Sequence, residues 1–238
     1  MTEWKARRFW KDAAVVPGED GFGVHLDARP LRTPGKAVLS LPTQRAAEAV
    51  AAEWQAQGDV IDPRSMPVTR AANAAIDKVI VQQAEVTAML AAYGETDLLC
   101  YRAASPEALA ARQALAWDPL LDWAEQRFGA RLIVARGVMH VAQPEEALDR
   151  LAKPLSDMSA FELTGLHDLV ALSGSLVIAL AVVEDHLPVQ DLWHRSRIDE
   201  AWQEEHWGFD AEAAELAESR RIAFERALTF FRLVAPSA

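Results

Sequence analysis

The pattern of apolar and polar positions changes character near residue 43. Before it, RFWKDAAVV, GFGVHLD, LRT and AVLSL are short runs with β-branched and aromatic residues, separated by PGEDG, ARP and PGK. Runs this short between Pro/Gly turn signals predict the strands of a small antiparallel β unit. Such strands cannot support themselves and must pack on another element.

From Thr43 the apolar period becomes helical. Ala47, Val50, Ala51 and Trp54 recur at i, i+3, i+4 and i+7, with Thr43 placed to cap the start and Gly58 to stop the end. The segment DVIDPRSMP, with two prolines, follows and marks an expected boundary. It separates an N-terminal β-rich domain with one helix, residues 1–60, from a C-terminal domain, residues 61–238.

The second domain reads as mainly helical, so the fold class is α+β. Helices are expected over 68–81, 83–92, 106–117, 119–128, 144–155, 160–172, 174–183, 189–207 and 211–233. Ser105 and Asp118 each precede a proline at a first helical position, Asp210 can cap the last helix, and Gly129 stops one. One interruption, ARLIVARGVMHVAQ at 130–143, has two β-like runs around Ala135, Arg136 and Gly137, which predicts a single short β-hairpin.

The longest uncharged run, Leu169 to Val183, spans 15 residues between Asp168 and Glu184. A transmembrane helix needs about 20 apolar residues. The run is therefore expected as a buried core helix or helix pair, without membrane insertion.

Charge narrows the partners. The 238 residues carry a formal net charge of −11, with the excess acid falling after Lys78. Attraction to phosphate backbones or anionic lipid is then unfavourable for the molecule as a whole, and nucleic acid is not an expected partner. Self-repulsion favours a monomer when the chain is free. A single cysteine, Cys100, excludes an intramolecular disulfide and a multi-cysteine metal site, and reads as a buried filler. The start MTEWKARRFWK lacks the apolar core and cleavage site of a secretory signal. The expected compartment is the bacterial cytoplasm, or the mitochondrial matrix for a processed eukaryotic product.

Motifs for chemistry are sparse. GEDGFG, at 18–23, lacks the Lys-Ser/Thr of a phosphate loop and the dinucleotide pattern, and reads as a turn. No G-x-S-x-G elbow, H-E-x-x-H helix or cysteine pair is present. His167 and His186 each adjoin an aspartate and read as structural hydrogen-bond partners.

Residues 199–210, DEAWQEEHWGFD, stand out. On a helix, Trp193, Arg197, Glu200, Glu204 and Trp207 are spaced 4, 3, 4 and 3 and form one stripe, with two acids between two indoles. A metal-assisted hydrolase would use Glu200, Glu204 and His206. A carboxylate-bridged site in a helical bundle, however, draws Glu and Glu-x-x-His from several helices, and no second such helix exists here. From Asp199 to Glu218 the chain has eight acids and no base. Like charges along a helix face are mildly destabilising, so stability does not account for that run. Indoles beside carboxylates suit a partner surface instead, aromatic anchors giving buried area and charges setting register. A permanent scaffold within a larger complex is a third reading of the same surface.

Six ordered segments then carry a family likeness. RFWK near the start, LDARPLRTP at 26–34, AAEWQAQGDVIDPRSMPVTRAANAAID at 51–77, YGETDLLCYRA at 93–103, WDPLLDW at 117–123 and DEAWQEEHWGFDAEA at 199–213 are spread in order from residue 8 to residue 213, so the likeness extends over nearly the whole chain. They resemble the assembly chaperone of the F-type ATP synthase catalytic head. The resemblance implies an N-terminal β-rich domain, a larger helical domain, and an activity without catalysis or cofactor. The implied partner is the unassembled alpha subunit, held and shielded until it joins the beta subunit. Ala28 departs from the glycine expected in the turn Asp27 to Pro30. The family's acid-and-tryptophan motif carries over onto Glu200, Trp202, Gln203, Glu204, Trp207, Gly208 and Asp210. With Trp193 from the helical stripe, the expected partner-binding residues are Trp193, Glu200, Trp202, Glu204, Trp207 and Asp210. Glu200 has an architectural alternative, an ion pair with Arg197 or Arg70.

Overall fold

The structure, a computed structural model, describes residues 7–236. The N-terminal sheet is antiparallel. Strands β1 (Ala13–Gly18) and β2 (Gly21–Leu26) form a hairpin, and β2 also pairs with β3 (Arg29–Pro30) and β4 (Ser40–Leu41). The tight β1–β2 turn needs glycine at its exit. Gly21 has φ 135°, and a Cβ there would come within 2.4 Å of the Leu41 carbonyl oxygen.

Helix α1 (Gln44–Gln55) covers the sheet, with Thr43 accepting a hydrogen bond from the Ala46 N–H as its N-cap. Ala47, Val50 and Ala51 are buried as the helical period requires, beside Trp10, Val24, Leu39 and Leu41. The Trp54 ring packs on Trp10, with centroids 5.1 Å apart.

The chain divides into two compact units. The first takes the described residues up to Gln83, Ser159–Gly165 and the described residues from Thr229; the second is Ala84–Met158 and Leu166–Leu228. The proline linker expected as a boundary after residue 60 runs inside the first unit. Glu53 of α1 holds the following helix α2 (Pro67–Ala74) by accepting hydrogen bonds from the Val68 and Thr69 N–H groups at 2.7 and 2.8 Å. A carboxylate there satisfies donors that a helix start leaves unpaired. The chain then passes through a π-helical turn at Ala75–Val79 and a 3-10 turn at Ile80–Gln82 into α3 (Gln83–Ala92).

The second unit is helical: α4 (Glu107–Phe128), α5 (Glu145–Ser156), most of α6 (Ala160–Ser173), α7 (Leu176–Val183), α8 (Val189–Ser196), α9 (Ile198–Trp207) and most of α10 (Ala211–Val234). Helix α7, apolar on every face, is the buried centre, so the uncharged run is the end of α6 plus α7. Among the described residues no helix is long and apolar enough to cross a membrane. Asp97, fully buried, accepts hydrogen bonds from the Leu99 and Val177 N–H groups at 3.0 and 3.1 Å, which ties the start of α7 to the segment after α3.

Four expectations are corrected. The two helices expected at 106–117 and 119–128 are the single helix α4, with Pro119 inside it. Proline removes the bond to the carbonyl four residues earlier, that of Leu115, and Leu115 is 81% exposed, so water can replace the lost donor. Asp118, expected as a cap, instead takes an ion pair from Arg102 at 2.6 Å. The hairpin expected at 130–143 does not form. Strand β6 (Ala135–Arg136) pairs in parallel with β5 (Tyr101–Arg102), while the Gln143 side chain occupies both the N–H and the C=O of Ile133, where a return strand would bond. The helix expected over 189–207 is broken at Arg197, whose φ of −116° and ψ of 20° separate α8 from α9.

Candidate functional site

That break redistributes the acid and indole residues. Trp193 sits on α8 and is only 4% exposed, its ring 5.3 Å from that of Phe224. Its expected role as a partner contact is corrected by this burial: the indole is core. The projected stripe from Trp193 to Trp207 assumed one continuous helix, and the turn at Arg197 removes that continuity. Arg197 links the two parts. Its guanidinium lies over the Trp193 ring at 5.6 Å and pairs with Glu200 at 2.8 Å. Glu200 is exposed, and of its two expected partners Arg197 is the one found.

Helix α4 positions α9 through polar contacts. Gln113, buried, donates to Asp199 at 2.6 Å, and Arg112 makes two bonds to Glu205, at 2.7 and 2.8 Å. The hydrogen bond from Arg112 holds the Glu205 carboxyl below its ordinary value. The Trp117 indole N–H donates to the Arg195 carbonyl at 2.7 Å, and the Arg195 guanidinium donates to the Ala116 carbonyl, fastening α8 to the same helix. Arg112, Gln113 and Arg195 were not singled out from the sequence. They lie far from the acidic run in the chain, and only folding brings them to it.

Beyond Glu205 the surface opens. Trp202 is half-buried and stacked on His206, with ring centroids 4.1 Å apart, and the His206 Nδ1–H donates to the Trp202 carbonyl at 2.8 Å. Trp207 is 81% exposed and Phe209 72% exposed, one on each side of Gly208. Gly208 has φ 97°, a region that favours glycine, and ends α9. Asp210 then accepts hydrogen bonds from the Glu212 and Ala213 N–H groups at 2.9 and 3.2 Å, so its carboxylate caps α10 as its position predicts. Phe209 is not among the partner-binding residues expected from the sequence, although its place beside Gly208 and Trp207 is a usable signal for an exposed ring.

The acids divide by partner. Glu200, Glu205 and Glu218 are paired with Arg197, Arg112 and Arg221. Among the described residues Glu204, Glu212 and Glu215 have no ion pair, and all three are exposed. Nor do any three His, Cys, Asp or Glu residues among those described converge to hold a metal. The arrangement offers two large exposed rings on a glycine corner beside uncompensated carboxylates. Chemically it can bind an apolar surface bearing positive charge.

Known proteins share this chain's sequence and fold. Residues 7–125 match the family model described as ATP12 chaperone protein. The chain is 24% identical over 225 residues to "Protein atp12, mitochondrial" of Schizosaccharomyces pombe, covering 88% of this chain and 76% of that protein. The crystal structure of Atp12 from Paracoccus denitrificans is 49% identical, with a TM-score of 0.94 over 98% of this chain and 100% of that one. The Atu1473 protein from Agrobacterium tumefaciens is 41% identical, with a TM-score of 0.92 over 96% of this chain and 86% of that one. The matched residues, the near-complete superposition and the β-rich start joined to a larger helical part place the chain in the ATP12 chaperone family, the ATP synthase assembly chaperones that its sequence resembles.

Proposed function

We propose that this chaperone binds the unassembled alpha subunit of the F-type ATP synthase catalytic head through the α9–α10 corner. It shields that subunit until the beta subunit replaces it. The observation that carries the reading is the exposed Trp207 and Phe209 pair on the Gly208 corner, beside Glu204, Glu212 and Glu215 without ion pairs. Large rings in water are costly on a monomer and are typical anchors of an interface. An unassembled subunit exposes the complementary liability, the surface meant for its neighbour, and is prone to aggregate.

Release follows from competition and needs no bond chemistry. A corner of two rings and a few carboxylates gives a small, mixed interface, which a larger subunit interface can displace. Within this reading Trp207, Phe209 and Glu204 make direct contacts, Glu200 contributes charge at the edge, and Trp202 and Asp210 shape the corner.

Co-expression with the alpha subunit alone tests the proposal. Expected is a soluble complex recovered by affinity capture, with recovery falling roughly tenfold or more when Trp207 and Phe209 are both changed to serine. Alpha subunit that stays aggregated beside the wild-type chaperone, with no complex captured, would show the reading to be wrong.

A further inference from the structure

We infer that the outer edge of β6, with the pocket beside it, is a docking surface for an extended segment of a partner protein that places one lysine or arginine among apolar residues. The surface is distinct from the α9–α10 corner and does not rest on the alpha-subunit reading.

Three observations converge on it. First, β5 and β6 form a two-stranded sheet, so among the described residues no strand pairs with the second edge of β6. The Gly137 N–H donates to the Arg102 carbonyl at 2.8 Å and so faces β5; by alternation along the strand the N–H and C=O of Arg136 face away. An open edge of this kind accepts an added strand through main-chain hydrogen bonds. Second, the segment exposes apolar side chains that the fold does not use. Val138 is 96% exposed and Met139 77%, and Ile133 and Val134 are exposed as well. A solvent-facing edge is normally blunted by charge or proline; the one charged residue of β6, Arg136, is held by Glu107 at 3.0 Å, and the strand is flanked by valine, isoleucine and methionine.

Third, the adjoining pocket carries a charge that lacks compensation. It encloses about 340 Å³ between α4 and the segment entering β6, with Leu121, Leu132 and Val134 as its apolar wall. That is the small end of the range for ligand sites, suited to a side chain rather than a cofactor. Of its three acids, Asp118 is paired with Arg102 and Glu125 with Arg131, while Asp122 has neither ion pair nor side-chain hydrogen bond among the described residues. A carboxylate against an apolar wall is complementary to a long aliphatic stem ending in a cation. A second copy of this chain is the poorer occupant, because two molecules of net charge −11 repel.

Calorimetric titration of the full chain with two synthetic peptides tests the inference. Both peptides alternate valine and threonine, one around a central lysine and the other around a central glutamate. The lysine peptide is expected to bind at least tenfold more tightly than the glutamate peptide. Asp122→Lys should weaken the lysine peptide tenfold or more, and Val138→Asp with Met139→Asp should do the same, each with an unchanged helical circular-dichroism spectrum. Equal binding of the two peptides, binding of neither, or lysine-peptide affinity unchanged in Asp122→Lys would each overturn the proposal. So would sedimentation showing a wild-type dimer that Val138→Asp with Met139→Asp makes monomeric, since the face would then belong to a second copy.

Discussion

Arg197 and Glu200 are joined at 2.8 Å across the turn that separates α8 from α9, and the same guanidinium covers the buried Trp193 ring. The pair thus connects the core to the candidate binding corner. Because Glu200 is half exposed, the ion pair contributes little to stability, on the order of 1 kcal/mol or less. Glu200→Lys places a second cation against Arg197 and reverses the charge presented to a partner. It is expected to lower recovery of the alpha-subunit complex several-fold, with helical circular dichroism retained. Glu200→Gln keeps the shape and should have an intermediate effect on capture; loss of the folded spectrum in either variant would assign Glu200 to architecture.

Glu205 titrates with a definite sign. Its folded value lies below the ordinary 4.5 because Arg112 donates to the carboxylate. The associated stabilisation is present above 4.5 and is lost as pH falls through the lower folded value. In Arg112→Ala the Glu205 titration, followed by NMR, should move up toward 4.5, and amide exchange across α9 should quicken.

Asp97 has the opposite sign. Burial raises its pKa above the ordinary 3.8, against the hydrogen bonds it receives from Ser175 and the backbone. The folded state then holds the proton more tightly than the unfolded chain, so this group's contribution declines as pH rises from 3.8 through the higher folded value. Asp97→Ala leaves the buried N–H groups of Leu99 and Val177 without their acceptor. Urea unfolding should show a loss of about 2–4 kcal/mol, the cost of one or two buried donors left unpaired.

Cys100 should be chemically silent in the native protein. Burial, with the nearby Asp97 carboxylate, pushes its thiol up to about 12, so almost none is thiolate near neutral pH. A thiol-specific chromogenic disulfide at pH 8 is expected to react only after urea is added, at the rate of unfolding. Rapid labelling of the native chain would contradict the burial of this thiol.

Local chemistry determined much of this protein from the sequence. The Thr43 cap, the helical period of Ala47, Val50 and Ala51, the Gly129 stop and the Asp210 cap all depend on neighbours within a few residues, and all appear where the sequence places them. The family was legible too, because its motifs are ordered along the chain. What the tertiary structure decided was which surface each motif faces. Trp193 and Trp207 share one helical stripe in projection, yet a single turn at Arg197 leaves the first in the core and the second in solvent. Pro119 signals a helix start, yet α4 runs through it, and β6 pairs with distant β5 instead of its own neighbour. Periodicity describes a helix that is already continuous and a strand that already has a partner. Continuity and pairing are settled by contacts between residues far apart in the chain, such as Gln113 with Asp199 and Arg112 with Glu205.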